Sequence, residues 1–216
     1  MSKLNVCEIF ASIQGESTLA GYPCVFVRLA GCNLRCAWCD TSYSHDDNSG
    51  VSTHINDIIG EIAKFPIKLI EITGGEPLLQ PSTAALCDEL LCRGYQVMIE
   101  TNGTLDIGAV SNKVRRIVDI KCPGSGCGGS FLIHNLKHLT SNDEIKFVLA
   151  SIDDAVWAKK FCDEHRITKK CSVTFSPVSS SLPYEKLADW MVENRFDGIR
   201  FGVQLHKIIW GERRGV

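Results

Sequence analysis

The sequence has almost no net charge to offer a polyanion. Lysine and arginine total 23 against 25 aspartates and glutamates, a formal balance of −2 at neutral pH. That excludes a general electrostatic affinity for nucleic acid or an anionic membrane surface. Long apolar runs are also missing. Stretches such as CVFVRLAG are interrupted, here by Arg28, and none reaches the roughly 20 residues that a membrane helix needs. The opening MSKLNVCEIFASIQGES has no basic segment leading into a long apolar stretch, so no signal peptide is expected and a cytoplasmic setting is. There is no low-complexity tract, no repeat of fixed period and no linker that would split the chain. The Gly/Ser-rich segment 123–130 is short and reads as a loop. What remains is 44% hydrophobic and 22% charged, ordinary for a globular protein. The 216 residues are long enough to bury a real core, and one domain over 1–216 is expected.

Short β-rich runs alternate with helical patterns. The runs are 25–29 (VFVRL), 68–73 (KLIEIT), 96–101 (QVMIET), 116–120 (RIVDI), 145–149 (IKFVL), 172–176 (SVTFS) and 199–205 (IRFGVQL). They carry the valine, isoleucine, phenylalanine and threonine that strands favour. Between several of them lie amphipathic helices. Ile55, Ile58, Ile59, Ile62 and Ala63 follow the spacing of one buried face, with Ser52 or Thr53 able to cap its start. Pro81 suits the first turn of a second helix and Gly94 its stop. Ala158, Phe161, Cys162 and His165 share a face of a third, and Leu187, Trp190 and Met191 a face of a fourth. This alternation predicts an α/β fold, a parallel sheet with helices outside. About six βα units fall short of the eight of a closed barrel, leaving an open partial barrel or a doubly wound sheet. In both, ligands gather at the carboxyl ends of the strands. The loops there are unusual: TGGEP, TNGT, KCPGSGCGG and SPVSSS.

Eleven cysteines are many for a chain with no export signal, and the number is odd. Free thiols in a reducing compartment fit better than disulfides, and a cluster of them is better read as a metal site. Cys24, Cys87 and Cys162 sit beside apolar faces and behave as small hydrophobes. Cys7, Cys92 and Cys171 have no partner at metal spacing, and Cys122 and Cys127, flanking a Gly-rich loop, read as structural. Cys32, Cys36 and Cys39 differ. They crowd into GCNLRCAWCDTS, just after a predicted strand, where three thiolates can converge. What the stretch lacks is a fourth ligand. A structural zinc takes four, but Asp40 is adjacent to Cys39 and His45 has no partner at zinc-finger spacing. An iron–sulfur cluster is usually held by four cysteines, so three would leave one iron open to something other than protein.

The CxxxCxxC spacing of CNLRCAWC is similar to that of the radical S-adenosylmethionine enzymes, and TGGEP (73–77) resembles their GGE motif. IQGES (13–17), Arg28 in VFVRLAGCN, CAWCDT (36–41), TGGEPLLQ (73–80), ETNGT (100–104), DIKCPGSG (119–126) and QLHK (204–207) resemble the 7-carboxy-7-deazaguanine synthase family. Ser17 departs from it, standing where a glycine is usual. The resemblance implies an open, partial βα barrel of the radical S-adenosylmethionine type. It implies a 4Fe-4S cluster held by Cys32, Cys36 and Cys39, with S-adenosylmethionine (SAM) on the open iron. Trp38, Cys39, Asp40, Gly75, Glu76, Glu100, Asp119, Ile120, Lys121, Ser176 and Pro177 would line the SAM site. Ile13, Gln14, Gly15, Glu16, Arg28, Thr73 and His206 would meet the pterin substrate, 6-carboxy-5,6,7,8-tetrahydropterin. Thr41 would offer its hydroxyl to Mg2+, which also takes the substrate carboxylate. The implied reaction is ring contraction to 7-carboxy-7-deazaguanine with loss of ammonia, toward queuosine and other 7-deazapurine nucleosides, with SAM regenerated. A flavodoxin or ferredoxin reductant and a homodimer are implied as well.

Each of these residues has a plainer reading beside it. Arg28 lies mid-strand in an apolar run and needs a buried partner, a bound carboxylate or else Glu16 or Asp40. Thr41 suits Mg2+ as a hard oxygen donor, or simply caps the next segment. Gln14 and Glu16 can hydrogen-bond a pterin's ring nitrogens and amino group, or make a polar turn. The paired glycines of GGEP let backbone approach a ligand and Glu76 can accept from an ammonium, or the stretch is a turn before a helix. His206 reads as the end of the last strand, and His45, His54, His134, His138 and His165 are given no role. An activating enzyme that installs a glycyl radical on a partner protein would share CxxxCxxC and GGEP but not need IQGE or Thr41. A non-enzymatic Fe–S or zinc carrier would leave GGEP and the strand-end loops unexplained.

Overall fold

The computed structural model describes residues 2–194, 196–211 and 213–216. Its elements in chain order are β1 (Lys3–Ile13), β2 (Pro23–Leu29), β3 (Val51–His54), α1 (Ile55–Ile62), β4 (Leu69–Gly74), α2 (Thr83–Cys92) and β5 (Gln96–Thr101), then β6 (Arg115–Asp119), β7 (Glu144–Leu149), α3 (Ile152–His165), β8 (Ser172–Pro177), α4 (Tyr184–Glu193), β9 (Ile199–Phe201) and α5 (Leu205–Trp210). The strands form one nine-stranded sheet in the order β3-β1-β2-β4-β5-β6-β7-β8-β9. From β2 to β9 every neighbouring pair is parallel, while β1 runs antiparallel to both β2 and β3. This is an open partial barrel, one of the two architectures the strand–helix rhythm leaves and the one the resemblance implies. No helix among the described residues is long and apolar enough to cross a membrane.

All seven β-rich runs are strands, but the last is shorter than its sequence suggests. β9 stops at Phe201, and Leu205–Trp210 is helical. His206 therefore sits in α5 rather than at a strand end. β1 and β3 carry no β-rich run of the kind that marks the others. Because β3 occupies 51–54, Ser52 and Thr53 do not cap α1; His54 holds the N-cap position without a side-chain bond. Pro81 stands ahead of α2, whose N-cap is Ser82, and Gly94 ends that helix with φ 77°.

Strand alternation separates two kinds of surface. Val25, Val27, Leu29, Ile70, Ile72, Val97 and Ile99 turn outward and bury the Ile55, Ile58, Ile59 and Ile62 face of α1 together with α2. Each such side chain contributes about 1.5–3 kcal/mol. Ile145, Phe147, Val173 and Phe175 do the same for α3 and α4. At the base of the inward face Cys24, Leu69, Met98 and Ile117 pack together. Above that base Arg28, Glu71, Glu100, Asp119 and Lys146 share the face with Phe26 and Val148.

Two crossovers, β5–β6 and β6–β7, contain only 3₁₀ turns. Polar anchors hold them. Arg116, 2% exposed, grips Asp143 through Nε (3.0 Å) and Nη2 (2.7 Å), and Asp143 also accepts from Thr140. Asn135 donates to the carbonyls of Gly103 and Leu105 and accepts from the Ile107 N–H. These bonds replace helix packing where the chain passes beneath the strand-end loops.

Candidate active site

The carboxyl ends of the strands open into a cavity of about 270 Å³. Its first wall is the cysteine loop. Backbone bonds fix this loop without a regular element: Gly31 N–H to Ser44 O (2.8 Å), Cys32 N–H to His45 O (3.0 Å) and Ala37 N–H to Ser125 O (3.0 Å). Asn33 bonds Thr104 and Asn102, tying the loop to the TNGT turn. Cys32, Cys36 and Cys39 are half-buried and all line the cavity. Burial raises the Cys32 thiol. It pushes Cys36 up to about 12, with Lys121 opposing and the neighbouring Cys127 thiol adding. These thiols keep their protons until a metal displaces them. Among the described residues no three His, Cys, Asp or Glu side chains converge as a site for a single ion. A cluster presents several irons, so its thiolate ligands need not meet at one point.

The GGE turn lies directly against this loop. Gly74 has φ 140°, and a Cβ there would collide with the Leu29 backbone. A Cβ on Gly75 would run into the Gly31 carbonyl and lie 2.8 Å from the Cys32 Cβ. Glu76 N–H bonds Gly31 O at 2.7 Å, locking turn to loop. Alanine at position 75 is therefore expected to cost about 1–3 kcal/mol and to reduce cluster content after reconstitution. Iron analysis and thermal melts check this, and wild-type values for both would contradict it. The Glu76 side chain does not line the cavity. Its carboxylate is buried and accepts from Leu78 N–H (3.0 Å), Thr101 Oγ1 (2.7 Å) and Asn102 N–H (2.7 Å). Through these bonds its carboxyl group braces the β4 and β5 ends.

The opposite wall is the loop after β1. Gln14 is 3% exposed and spends its side chain inside the protein. Its Oε1 accepts from Glu16 and Ser17 N–H, and its Nε2 donates to Glu71 at 3.1 Å. Both ends of the side chain are thus engaged within the protein, and Gln14 also lines the cavity. Ser17 accepts from Leu19 N–H through its hydroxyl, so it closes the turn a glycine would otherwise make. Gly15 lies under α5, where a Cβ would meet His206 Nδ1 at 2.7 Å. Lys207 pairs with Asp40 at 3.2 Å, so α5 bridges the two walls. Gly215 and Val216 line the cavity, and Arg214 stacks on the Tyr43 ring.

Arg28 finds neither Glu16 nor Asp40. Its partner is Glu8 of β1 (2.8 Å), which also accepts from Tyr43 Oη (2.7 Å). β1 was not legible as a strand, so the partner was not either. Arg28 still lines the cavity beside Thr73, its neighbour in register on β4.

At the floor stands Lys146, 3% exposed, with Glu16 and Glu100 each 2.5 Å away and Asp119 at 3.6 Å. Burial opposes the Glu16 charge, but Lys146 and His206 outweigh it and hold its carboxyl at about 2. Lys146 in turn stays protonated, since its carboxylates outweigh its burial. Among the described residues no cation is bonded to Glu71. Burial, and then the Glu100 charge, push it up to about 8, only partly offset by Gln14 and Lys146. A carboxyl raised in the folded state weakens folding as pH climbs from the unfolded value of 4.5 toward 8. Glu71→Gln is therefore expected to stabilise the protein at pH 8, by roughly 4–5 kcal/mol, and to change little below pH 4.5. Melting curves across that range test this; a constant difference at all pH values would contradict it.

Trp38, Asp40, Thr41, Gly75, Glu100, Asp119 and Lys121 line the same cavity, as do Ile13, Gln14, Gly15, Glu16, Thr73 and His206. Ile120, Ser176 and Pro177 do not. Ile120 turns into the outward core, and its N–H bonds Lys146 O. Ser176 and Pro177 are buried at the end of β8. Sequence reasoning missed Glu71, Lys146 and Tyr43. The first two had a signal: a lone charged residue inside each of the apolar runs KLIEIT and IKFVL.

The residues fit the groups that such a site implies. Three thiols share one loop at the cavity edge, and the glycine turn beside them has no room for a side chain. Asp119 Oδ1 is buried without a hydrogen-bond partner among the described residues. Thr41 precedes a 3₁₀ turn yet makes no capping bond, so its hydroxyl is not consumed as a cap.

An open βα barrel with a three-cysteine loop against a glycine turn defines a radical SAM enzyme, and the model of the Radical SAM superfamily matches residues 27–122. The chain is 43% identical over 229 residues to the 7-carboxy-7-deazaguanine synthase of Koribacter versatilis, covering 99% of this chain and 100% of that one. It is 42% identical to that of Chlorobaculum tepidum, covering 99% and 97%. The crystal structure of QueE from Escherichia coli shares the fold, with a TM-score of 0.79 at 22% identity over 94% of this chain and 95% of that one. The chain belongs to the 7-carboxy-7-deazaguanine synthase family.

Proposed function

We propose that the chain contracts the ring of 6-carboxy-5,6,7,8-tetrahydropterin to 7-carboxy-7-deazaguanine with release of ammonia, a step toward queuosine and related 7-deazapurines. One observation carries this reading. The cysteine loop, the GGE turn, Thr41, Arg28 and the loop after β1 all open onto a single cavity.

Cys32, Cys36 and Cys39 would hold the 4Fe-4S cluster. The backbone at Gly75, with Trp38, Asp40, Glu100, Asp119 and Lys121, would hold SAM. When bound, the reduced cluster and SAM supply one-electron, hydrogen-abstracting chemistry. The chain's own work is alignment and shielding. Arg28, neutralised from behind by Glu8, offers its remaining donors to a substrate carboxylate. Glu16 is held ionised by Lys146 and can accept from a pterin's amino and ring N–H groups. α5, Gly211 and residues 213–216 line the cavity and limit water, which protects a reactive species. A flavodoxin or ferredoxin as electron source and a homodimer as the assembly belong to the same reading.

Anaerobically reconstituted protein given reductant, SAM, Mg2+ and the carboxypterin is expected to form the deazaguanine acid, and a pterin lacking the carboxylate is not. Cluster-loaded protein that forms no product would overturn the reading. Thr41 supplies the hydroxyl for Mg2+, so Thr41→Ala is expected to weaken the dependence of turnover on added Mg2+. An unchanged metal response would remove that role.

A further inference from the structure

One residue outside the assigned set touches the cysteine loop twice. The His45 carbonyl accepts the Cys32 N–H at 3.0 Å, and its imidazole Nε2 lies 3.3 Å from Cys39 Sγ. Its ring lines the cavity. The three sulfurs differ in what faces them. Cys32 Sγ has the Leu34 N–H at 3.5 Å, and Cys36 feels the Lys121 charge. Among the described residues Cys39 has two side-chain neighbours at hydrogen-bonding distance, His45 and the Thr41 hydroxyl at 3.8 Å. Once that hydroxyl is engaged by Mg2+, the imidazole is the donor left to this sulfur.

A metal-bound thiolate has no proton to give, so the contact must be N–H to sulfur, with Nε2 as the protonated nitrogen. Hydrogen bonds to cluster sulfurs favour the more negatively charged, reduced state and raise its potential. They also fix the direction from which a thiolate approaches its iron. We infer that His45 is a positioning residue of the cluster: its imidazole N–H holds the Cys39 thiolate and sets the cluster's reduction potential. The inference rests on the reading of Cys39 as a cluster ligand. It concerns a residue to which neither the cysteine spacing nor the family resemblance gives a role.

The test uses holoenzyme reconstituted from the full chain, with His45→Leu, which removes the donor, and His45→Gln, which keeps an N–H. Iron and sulfide content come first, then redox titration of the reduced cluster by EPR without SAM. The expected result is iron content like the wild type in both variants. The midpoint should move to lower potential in His45→Leu, so that severalfold less cluster is reduced at the wild-type midpoint. His45→Gln should return toward the wild-type value, a recovery that a merely space-filling role would not produce. A His45→Leu midpoint equal to the wild type overturns the inference. Should the leucine variant not load a cluster, the wild type decides. Protein with 15N-labelled histidine must show an imidazole nitrogen coupled to the reduced cluster that disappears in His45→Gln, and absence of that coupling in the wild type overturns the inference. Wild-type protein that binds no iron would instead remove the ligand reading beneath it, and the inference with it.

Discussion

Replacing Cys36 with alanine is expected to give a folded chain with no stable cluster and no turnover. The thiol lies at the cavity edge, half-buried, in a loop held by backbone bonds at Gly31, Cys32 and Ala37. None of those bonds uses the Cys36 side chain, so the loop survives its loss. The cluster does not, because three protein thiolates are already one fewer than a cluster usually receives. The effect on rate is therefore total, while the effect on stability of the iron-free protein is small. Iron analysis, circular dichroism and product formation on the same sample separate these. Full residual activity, or a full complement of iron, would contradict the ligand assignment.

Lys146→Met should be the most damaging substitution away from the cysteines. The lysine is buried and stands between Glu16, Glu100 and Asp119, which belong to the loop after β1, β5 and β6. Methionine keeps much of the volume and removes the charge. The carboxylates would then be buried without their shared cation, and breaking such a buried pair costs about 3–5 kcal/mol. The sign with pH follows from the same charges. Without Lys146 the carboxyl of Glu16 rises from about 2, so the deficit is greatest at high pH and shrinks as pH falls toward 4.5. Turnover should be lost as well, because the cation that ties Glu16 to Glu100 and Asp119 is gone. Chemical denaturation at pH 8 and pH 5 measures the deficit, and equal stability of variant and wild type at both would contradict it.

The parallel strands were legible because each is buried on its outer face and reads as a compact β-rich run. The cysteine loop was legible because its spacing is local in sequence. What was not legible depends on distant partners. β1 mixes buried and half-exposed residues along its length, and its role appears only when Glu8 falls opposite Arg28 in the antiparallel register. The Arg28 partner followed that error. His206 looked like a strand end because 199–205 is apolar, yet the chain leaves the sheet after Phe201 and turns into α5. The bonds that hold the Glu76 and Gln14 side chains were not legible either: each accepts from backbone N–H groups that only the folded chain brings to it.

One measurement tests the account most directly: a mass balance of an anaerobic reaction containing reconstituted protein, reductant, Mg2+, SAM and 6-carboxytetrahydropterin. The account predicts one 7-carboxy-7-deazaguanine and one ammonia for each pterin lost, with SAM largely preserved. SAM consumed while the pterin stays intact would contradict it, and would point instead to an activating enzyme acting on a partner protein.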